Sequence, residues 1–218
     1  MGRKIFLLAA LTTFVFVDCT STDSTLKVLN LGAAKNAVQA YYESGGFDRE
    51  CAKIIDDAIK QIEEIKLADK SAVVFDIDET ALSNYEYTKE IGFGYIHKIW
   101  NEWQQKGIAP AIKDTKRFYD YLLSKNIHVI FISGRSADVG EATKKNLIEQ
   151  GYTKFDALIL QSESENTIPA SKWKAVKRKE LISKGYNIIA CIGDQESDLS
   201  GGNTGIKIKL PGYLYLLD

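Results

Sequence analysis

Residues 72–80 have the sequence AVVFDIDET, in which four apolar residues run directly into two aspartates spaced two positions apart. A short apolar run of this kind, bounded by polar residues, predicts a buried β-strand. Because alternate residues of an extended chain point to the same side, Asp76 and Asp78 are expected to share one face just beyond the strand. A carboxylate pair on a loop is usually only solvated, so other residues must decide whether this pair is catalytic.

Three more apolar runs follow, and helical patterns separate them. The predicted strands cover 127–132, 157–160 and 188–192, and the predicted helices cover 115–125, 139–150 and 171–184. Two further helices are predicted before the first strand. One covers 31–43, and the other begins at Phe47 and repeats apolar residues every three or four positions to Ile65. The alternation of strand and helix predicts an α/β fold, with a Rossmann-like parallel sheet and helices on both faces.

Residues 81–111 interrupt this alternation and are rich in aromatic side chains. They predict a small, mostly helical cap that leans over the carboxyl ends of the strands, where open parallel sheets bind ligands. The candidates for stacking on a ring of a substrate are Tyr85, Phe93, Trp100 and Trp103. The alternative is that these side chains form the small hydrophobic core of the cap itself.

Residues 1–19 predict an export signal. Arg3 and Lys4 precede an apolar stretch over 5–17, which is shorter than the roughly 20 residues that span a bilayer as a helix. A permanent transmembrane anchor is therefore not expected. The predicted location is outside the cytoplasm, either periplasmic or associated with an outer membrane.

The end of this signal leaves two versions of export open. Cys19 stands where bacterial lipoproteins carry a lipidated cysteine, although Asp18 replaces the small residue that usually precedes it. A lipid anchor at Cys19 would be the only contact with a membrane, and the alternative is cleavage nearby and soluble release. Residues 20–30 are polar and predict a tether. The folded domain is expected to cover 31–218.

Charge and cysteine content narrow the class of protein further. The chain has 28 basic and 29 acidic residues, interspersed along the sequence, and a formal net charge of -1. A nucleic-acid polymer is therefore not an expected partner. Cys51 and Cys191 each lie in an apolar periodic segment, which favours two buried thiols over a disulfide framework.

Polar residues also follow the later predicted strands. In Ser133-Gly134-Arg135, a hydroxyl and the amides of a tight turn could bind a phosphoryl oxygen. The stretch 193–198 holds three acidic residues within five positions, whose mutual repulsion requires a bound cation or a nearby base. Oxygen ligands favour magnesium as that cation. A lysine of the basic helix 171–184 is expected to turn towards Asp76, and the order of the sequence alone does not choose which one.

These four elements, in this order and each at a strand end, resemble the haloacid dehalogenase (HAD) superfamily. The matching residues are Asp76-x-Asp78-x-Thr80, Ser133, a lysine, Gly193-Asp194 and Asp198. The wider sequence is similar to the acid phosphatase branch, subfamily IIIB, which includes bacterial lipoprotein acid phosphatases and plant vegetative storage proteins. The stretches that carry this likeness are 82–84, 100–103, 109–111, 132–135, 193–195 and 197–199, and the resemblance covers residues 35–215.

The resemblance implies roles for the matching carboxylates. Asp76 would be the nucleophile and a ligand of Mg²⁺, and Asp194 would be a second ligand. Asp78 would be the general acid and base, with its backbone carbonyl also on the metal. Asp198 would act from behind the ligands by orienting the lysine or a water at the metal.

The resemblance also implies which residues hold the phosphate. Thr80 would support the loop of the nucleophile, and the phosphate would bind Ser133 in the turn that continues through Gly134 and Arg135. Trp173-Lys174 followed by Arg178 matches an aromatic-Lys-x-x-x-Arg pattern of the branch. This match selects Lys174 over Lys172 as the inward lysine.

The implied function is that of a magnesium-dependent acid phosphatase. It would hydrolyse small phosphomonoesters through a phosphoaspartate on Asp76, with nucleoside monophosphates or aryl phosphates as candidate substrates. A dehalogenase would not need Asp78, so the presence of Asp78 favours a phosphatase. A histidine phosphatase is excluded because neither His97 nor His128 stands beside a catalytic-looking arginine. His97, in the cap, is a weaker candidate for a substrate contact. The non-enzymatic alternative is a storage or binding protein on the same fold, against which the presence of both Asp76 and Asp78 argues.

Overall fold

The computed structural model describes residues 29–217. The predicted export signal, Cys19 and most of the predicted tether lie outside the described residues. Among the helices of residues 29–217, none combines the length and apolar character that a membrane span requires.

A five-stranded parallel sheet lies at the centre of the fold. Its strands are β1 (Ser71–Phe75), β2 (His128–Ser136), β3 (Ala157–Gln161), β4 (Asn187–Gly193) and β5 (Ile206–Lys209). They follow the order β3-β2-β1-β4-β5 across the sheet, so β1 pairs with both β2 and β4. Phe75 stands opposite Phe131 on one side and Ile192 on the other. The residues that follow these three strands therefore meet at one edge of the sheet.

Helices cover both faces of this sheet, as the sequence predicts. They are α1 (Leu31–Glu43), α2 (Gly46–Glu63), α3 (Tyr85–Glu90), α4 (His97–Lys106), α5 (Lys113–Ser124), α6 (Gly140–Glu149), α7 (Ala170–Ser183) and α8 (Glu196–Leu199). The helices α3 and α4 form the cap that follows the first strand. The α/β fold class with its helical cap is thus confirmed, and β5 is a fifth strand that the sequence pattern did not predict.

Strand β1 explains why the sheet has two hydrophobic cores. All of its residues are buried, and alternate side chains point to opposite faces. Val73 and Phe75 join the core under α2 and α5. Ala72 and Val74 join the core under α7, which contributes Trp173, Leu181 and their neighbours. Because helices cover both faces of the sheet, every residue of the strand before Asp76 faces a hydrophobic core. This explains the continuous apolar run in the sequence.

The two cysteines of the described chain divide between these cores. Cys51 lies in the core on one face and Cys191 lies in the core on the other face, and both are free and buried. Burial raises the pKa of each thiol to about 12. Both side chains therefore act as small hydrophobic groups in the fold.

Candidate active site

Three carboxylates from two strand ends converge at the edge of the sheet. Asp76 follows β1, Asp194 follows β4, and Asp198 lies in the short helix α8. All three are buried, and each offers an oxygen within 4.8 Å of the others. Three buried carboxylates at this distance repel one another strongly unless positive charge lies among them.

The turn after β4 has the local structure that brings Asp198 into this group. The backbone amide of Gln195 donates to Asp198 Oδ2 at 2.9 Å, which closes the first turn of α8. A Cβ atom on Gly193 would stand 2.1 Å from the same oxygen, so no other residue fits there without displacing Asp198. The Gly193-Asp194 pair of the sequence motif is thus explained by packing.

Lys174 supplies positive charge between two of these carboxylates. Its Nζ atom donates to Asp76 Oδ1 at 2.6 Å and to Asp198 Oδ1, and its side chain is almost fully buried. Lys172 is exposed on the same helix. Arg178, one turn further on, donates to the backbone carbonyls of Asp198 and Gly202 and so holds the loop that carries Asp198.

Asp194 has the features expected of a cation ligand. Its Oδ1 atom is buried and has no hydrogen-bond partner among the described residues, while Oδ2 accepts a hydrogen bond from the side-chain amide of Gln195. Thr80 fixes the backbone, because its hydroxyl accepts from the Asp194 amide at 3.1 Å. Burial raises the pKa of Asp194 well above its usual range, and the charges of Asp76, Glu79 and Asp198 add to the rise.

The pKa of Asp76 is also raised. Burial is the main cause, the ammonium of Lys174 opposes the rise, and the charges of Asp198 and Asp78 add to it. A hard divalent cation such as Mg²⁺ prefers oxygen ligands and would remove this electrostatic penalty. The donor set therefore fits magnesium, with Asp76 and the free oxygen of Asp194 as side-chain ligands.

Asp78 lies apart from the three clustered carboxylates and has partners of its own. Arg135 Nη2 donates to Asp78 Oδ1 at 2.7 Å, and Arg135 Nε lies 3.1 Å from both carboxylate oxygens. The Asn84 amide donates to Oδ1 at 2.9 Å, and Arg135 Nη1 donates to the Thr143 hydroxyl. The guanidinium of Arg135 thus faces Asp78 in this structure.

The carboxyl-terminal end of β2 presents the other predicted phosphate-binding groups. Ser133, Gly134 and Arg135 lie within the strand, where its pairing with β3 is irregular between Ser133 and Ser136, and not in the tight turn that the sequence predicts. Ser133 is buried and its hydroxyl accepts from the Arg135 backbone amide at 3.2 Å. Gly134 is exposed, and an added Cβ would meet nothing within 4 Å, so the backbone of this strand end is accessible next to a buried hydroxyl.

A cavity of about 240 Å³ opens between the cap and the carboxyl-terminal end of β2. It is lined by Tyr95, His97, Trp100, Asn101, Gln104, Gly134, Arg135, Ser136, Asp138, Gln161 and Asn166. Gln104 is buried, and its Nε2 atom has no hydrogen-bond partner among the described residues. Gln104 thus contributes to the cavity wall, while its amide nitrogen is shielded from solvent.

The four aromatic candidates of the cap have different surroundings. Trp100 lines the cavity and packs against Tyr87 at 5.3 Å between ring centres. Trp103 also packs on Tyr87, and its indole donates to Asn84 Oδ1 at 2.8 Å. Tyr85 stacks on Tyr42 at 4.5 Å. Phe93 is partly exposed, with a φ of 57°.

Glu79 and Tyr215 are functional candidates that the sequence interpretation missed. Glu79 is buried and accepts from the Asn84 backbone amide at 2.6 Å, the Asn84 side chain at 3.0 Å and the Tyr215 hydroxyl at 2.8 Å. Burial raises the pKa of Glu79 to about 7, and the charge of Asp78 adds to the rise, which these donors oppose. Glu79 lies within the aspartate motif, and this position could have identified it from the sequence. No feature of the sequence pointed to Tyr215.

The chain resembles one family of proteins along almost its whole length. A family model described as HAD superfamily, subfamily IIIB (acid phosphatase), matches residues 10–217. A stem 28 kDa glycoprotein of Glycine max is 35% identical over 187 residues, which cover 83% of this chain and 74% of that protein. Acid phosphatase 1 of Solanum lycopersicum is 28% identical over 212 residues, which cover 94% of this chain and 83% of that protein.

Other relatives extend the comparison to storage proteins and to solved structures. Vegetative storage protein 1 of Arabidopsis thaliana is 35% identical over 147 residues, which cover 65% of this chain and 54% of that protein. The class C acid phosphatase of Bacillus anthracis superposes with a TM-score of 0.69 at 23% identity, over 84% of this chain and 86% of that chain. This likeness shows a shared fold.

The unpartnered oxygen of Asp194 leads to a prediction about stability. Mg²⁺ at about 100 times its dissociation constant should raise the free energy of unfolding by about 2.7 kcal/mol. In Asp194→Asn this increase should vanish, and without metal the variant should be at least as stable as the parent, because a buried carboxyl is removed. Denaturant unfolding with and without Mg²⁺ measures both effects. The control is Glu196→Gln, at an exposed acid of the same turn, which should keep the full increase; an equal response of both variants would contradict the assignment.

Proposed function

The chain belongs to the acid phosphatases of HAD subfamily IIIB, and from this membership we propose that its buried carboxylate site hydrolyses small phosphomonoesters with Mg²⁺ through a phosphoaspartate on Asp76. The observation that carries the proposal is the contact of Lys174 with Asp76 and Asp198, next to the unpartnered oxygen of Asp194. A nucleophile, a fixed positive charge and a set of metal ligands are thereby within one buried site.

The first requirement of the reaction is to bring two negative groups together. A phosphate monoester repels the carboxylate of Asp76, and Lys174 offsets that repulsion on one side. Magnesium, when bound by Asp76, Asp194 and the backbone carbonyl of Asp78, would supply further positive charge next to the phosphate. The Ser133 hydroxyl and the exposed backbone amides near Gly134, at the end of β2, would hold the phosphate oxygens.

Covalent catalysis then divides the hydrolysis into two steps. Asp76 attacks phosphorus, the bond from phosphorus to the ester oxygen breaks, and Asp78 gives its proton to the leaving alcohol. In the second step Asp78, now ionised, takes a proton from the water that attacks the phosphoaspartate. Inorganic phosphate and the original Asp76 carboxylate result.

Arg135 connects phosphate binding with Asp78. Its guanidinium forms an ion pair with the Asp78 carboxylate. A phosphate group that enters beside Gly134 would compete with Asp78 for the same donors, which suit either anion. Substrate binding would then weaken the pair and allow Asp78 to carry the proton that the first step needs.

The cavity beside Arg135 would take the leaving group. Trp100 offers an aromatic face there, and Gln104 offers a buried amide donor without a partner. An aromatic ring and a hydrogen-bond acceptor on the same leaving group would use both features. Nucleoside monophosphates have both, and aryl phosphates use the aromatic face alone.

The relatives named as storage proteins provide the alternative function. Such a protein needs the fold but no reaction, whereas this chain has Asp76, Asp78 and Lys174 together. Hydrolysis of a panel of phosphomonoesters by the purified protein, with and without Mg²⁺, tests the proposal. No hydrolysis of any ester would favour storage, and full activity after exhaustive chelation would contradict the metal requirement.

We further propose export by residues 1–19, a tether over 20–30, and a periplasmic or outer-membrane location with a lipid on Cys19. The mass of the mature amino terminus measures this directly. A terminus at Cys19 that carries lipid is expected, and an unmodified terminus beyond Cys19 would refute the anchor while leaving export intact.

The leaving-group site leads to a prediction about substrate preference. Stacking of one base on an aromatic side chain is worth about 1–3 kcal/mol, so adenosine 5′-monophosphate should have a higher kcat/KM than ribose 5-phosphate. Trp100→Ala should remove most of this preference, whereas the control Trp100→Phe keeps an aromatic face and should retain much of it. Equal preference in Trp100→Ala and the parent would show that Trp100 belongs only to the core of the cap.

The role of Asp78 leads to a prediction about leaving groups. General acid assistance is worth roughly 10²–10⁴ in rate, and an alkoxide needs it far more than the stable p-nitrophenolate anion. Asp78→Asn should therefore lower kcat/KM much more for an alkyl phosphate than for p-nitrophenyl phosphate. The specificity constant reports steps only through the first irreversible one, so the later role of Asp78 as a base does not enter. Equal losses for both esters would indicate that Asp78 only positions its neighbours.

A further inference from the structure

Asn84 occupies a helix-capping position but does not cap its helix. It immediately precedes α3, where an asparagine side chain ordinarily accepts a hydrogen bond from the first turn. No such bond is present at this residue, and Ser83 instead accepts from the Tyr85 amide. The Asn84 side chain is fully buried and directed elsewhere. A role in helix capping therefore does not account for it.

The partners of Asn84 fix which way its amide points. The Nδ2 atom donates to Asp78 Oδ1 at 2.9 Å and to Glu79 Oε2 at 3.0 Å, and Oδ1 accepts from the Trp103 indole at 2.8 Å. An indole can only donate and an ionised carboxylate can only accept, so the reversed amide would lose all three bonds. Asn84 thus joins the cap helix α4 to Asp78 in one defined orientation.

The residues around Asn84 hold it in place from a second side. Glu79 Oε1 accepts from the backbone amide of Asn84, and Glu79 Oε2 accepts from both the Asn84 side chain and the Tyr215 hydroxyl. The side-chain amide cannot turn away from Asp78 without leaving buried Glu79 short of a donor. The position of the amide is therefore determined by the fold and not by the substrate.

The two oxygens of Asp78 are consequently unequal. Oδ1 lies within hydrogen-bond distance of Arg135 Nε, Arg135 Nη2 and Asn84 Nδ2, whereas within residues 29–217 the one donor near Oδ2 is Arg135 Nε, at 3.1 Å. Oδ1 is therefore held by two residues and Oδ2 by one. Asn84 continues to occupy Oδ1 even when Arg135 turns towards a phosphate.

We propose that Asn84 is a positioning residue: its side-chain amide holds Oδ1 of Asp78 and so fixes the orientation of that carboxylate, while the Trp103 indole of the cap holds Asn84. The inference rests on the proposed function, in which Asp78 is the general acid. It assigns the cap a part in orienting Asp78 in addition to binding the leaving group. Loss of Asn84 should leave Asp78 present but held by Arg135 without a second donor from the loop after β1.

The test compares two esters in single and double variants. Asn84→Ala should lower kcat/KM for an alkyl phosphate about tenfold more than for p-nitrophenyl phosphate, a part of the roughly 10²–10⁴ that acid assistance supplies. In the Asp78→Asn background the same substitution should change the ratio of the two constants no further, because residues that act on one group are non-additive. A similar loss for both esters, or a full effect in the double variant, would overturn the inference.

Asn146→Ala is the matched control. Asn146 is also buried, and it attaches the end of the cap insertion through two hydrogen bonds with the backbone of Ala109, without contacting Asp78. This variant should alter both esters equally and keep their ratio. A shift in the ratio as large as that of Asn84→Ala would show that loosening the cap is sufficient, and would overturn the role of Asn84.

A second variant covers the case in which Asn84→Ala does not fold. Trp103→Phe removes the indole donor but keeps a ring against Tyr87, and it should shift the ratio in the same direction by about threefold. An unchanged ratio in Trp103→Phe would then overturn the inference. If Asp78→Asn itself leaves the ratio unchanged, the acid assignment fails and the inference fails with it. A ratio changed in Asp78→Asn but not in Asn84→Ala contradicts the inference alone.

Discussion

The buried ammonium of Lys174 is the interaction on which the rest of the site depends. It contacts Asp76 and Asp198, and without it the carboxylates that lie within 4.8 Å of one another would carry uncompensated negative charge in a buried place. Removing one member of such a buried group leaves its partners unpaired, which is far more costly than losing an exposed ion pair. Arg178 and Gly193 support this arrangement. Arg178 holds the loop that carries Asp198, and Gly193 leaves the space that the Asp198 side chain occupies.

The sheet topology explains how residues far apart in sequence reach this ammonium. Because β1 lies between β2 and β4, three residues come together at one edge of the sheet: Asp76 follows β1, Asp194 follows β4, and Ser133 lies near the end of β2. The cap then follows the loop after β1 itself, so Asn84 is only a few residues from Asp76. The order of the elements along the chain thus places the cap beside the carboxylate cluster before any side chain is considered.

The sequence predicted the four strands with continuous apolar runs, since burial on both faces demands such runs. It missed β5, whose Ile-Lys-Ile-Lys alternation reflects an edge strand with one solvated face. The choice of Lys174 as the inward lysine came from the family pattern, because a helix with five basic residues does not itself show which of them faces the site. Asn84 and Tyr215 could not be predicted, since their partners are defined only by tertiary packing. Trp103 was noticed for its ring, whereas its hydrogen-bonding indole joins it to Asn84.

The contacts of residues 210–217 mean that the site can be completed only late in the synthesis of the chain. Gly212 packs against Asp194, Leu217 donates to Gln195, and the hydroxyl of Tyr215 reaches Glu79 across a sequence separation of 136 residues. Asp76 is therefore synthesised long before the residues that complete its surroundings. A nascent chain cannot form the hydrogen bonds of Glu79 and Gln195 with this segment until Tyr215 and Leu217 have been added.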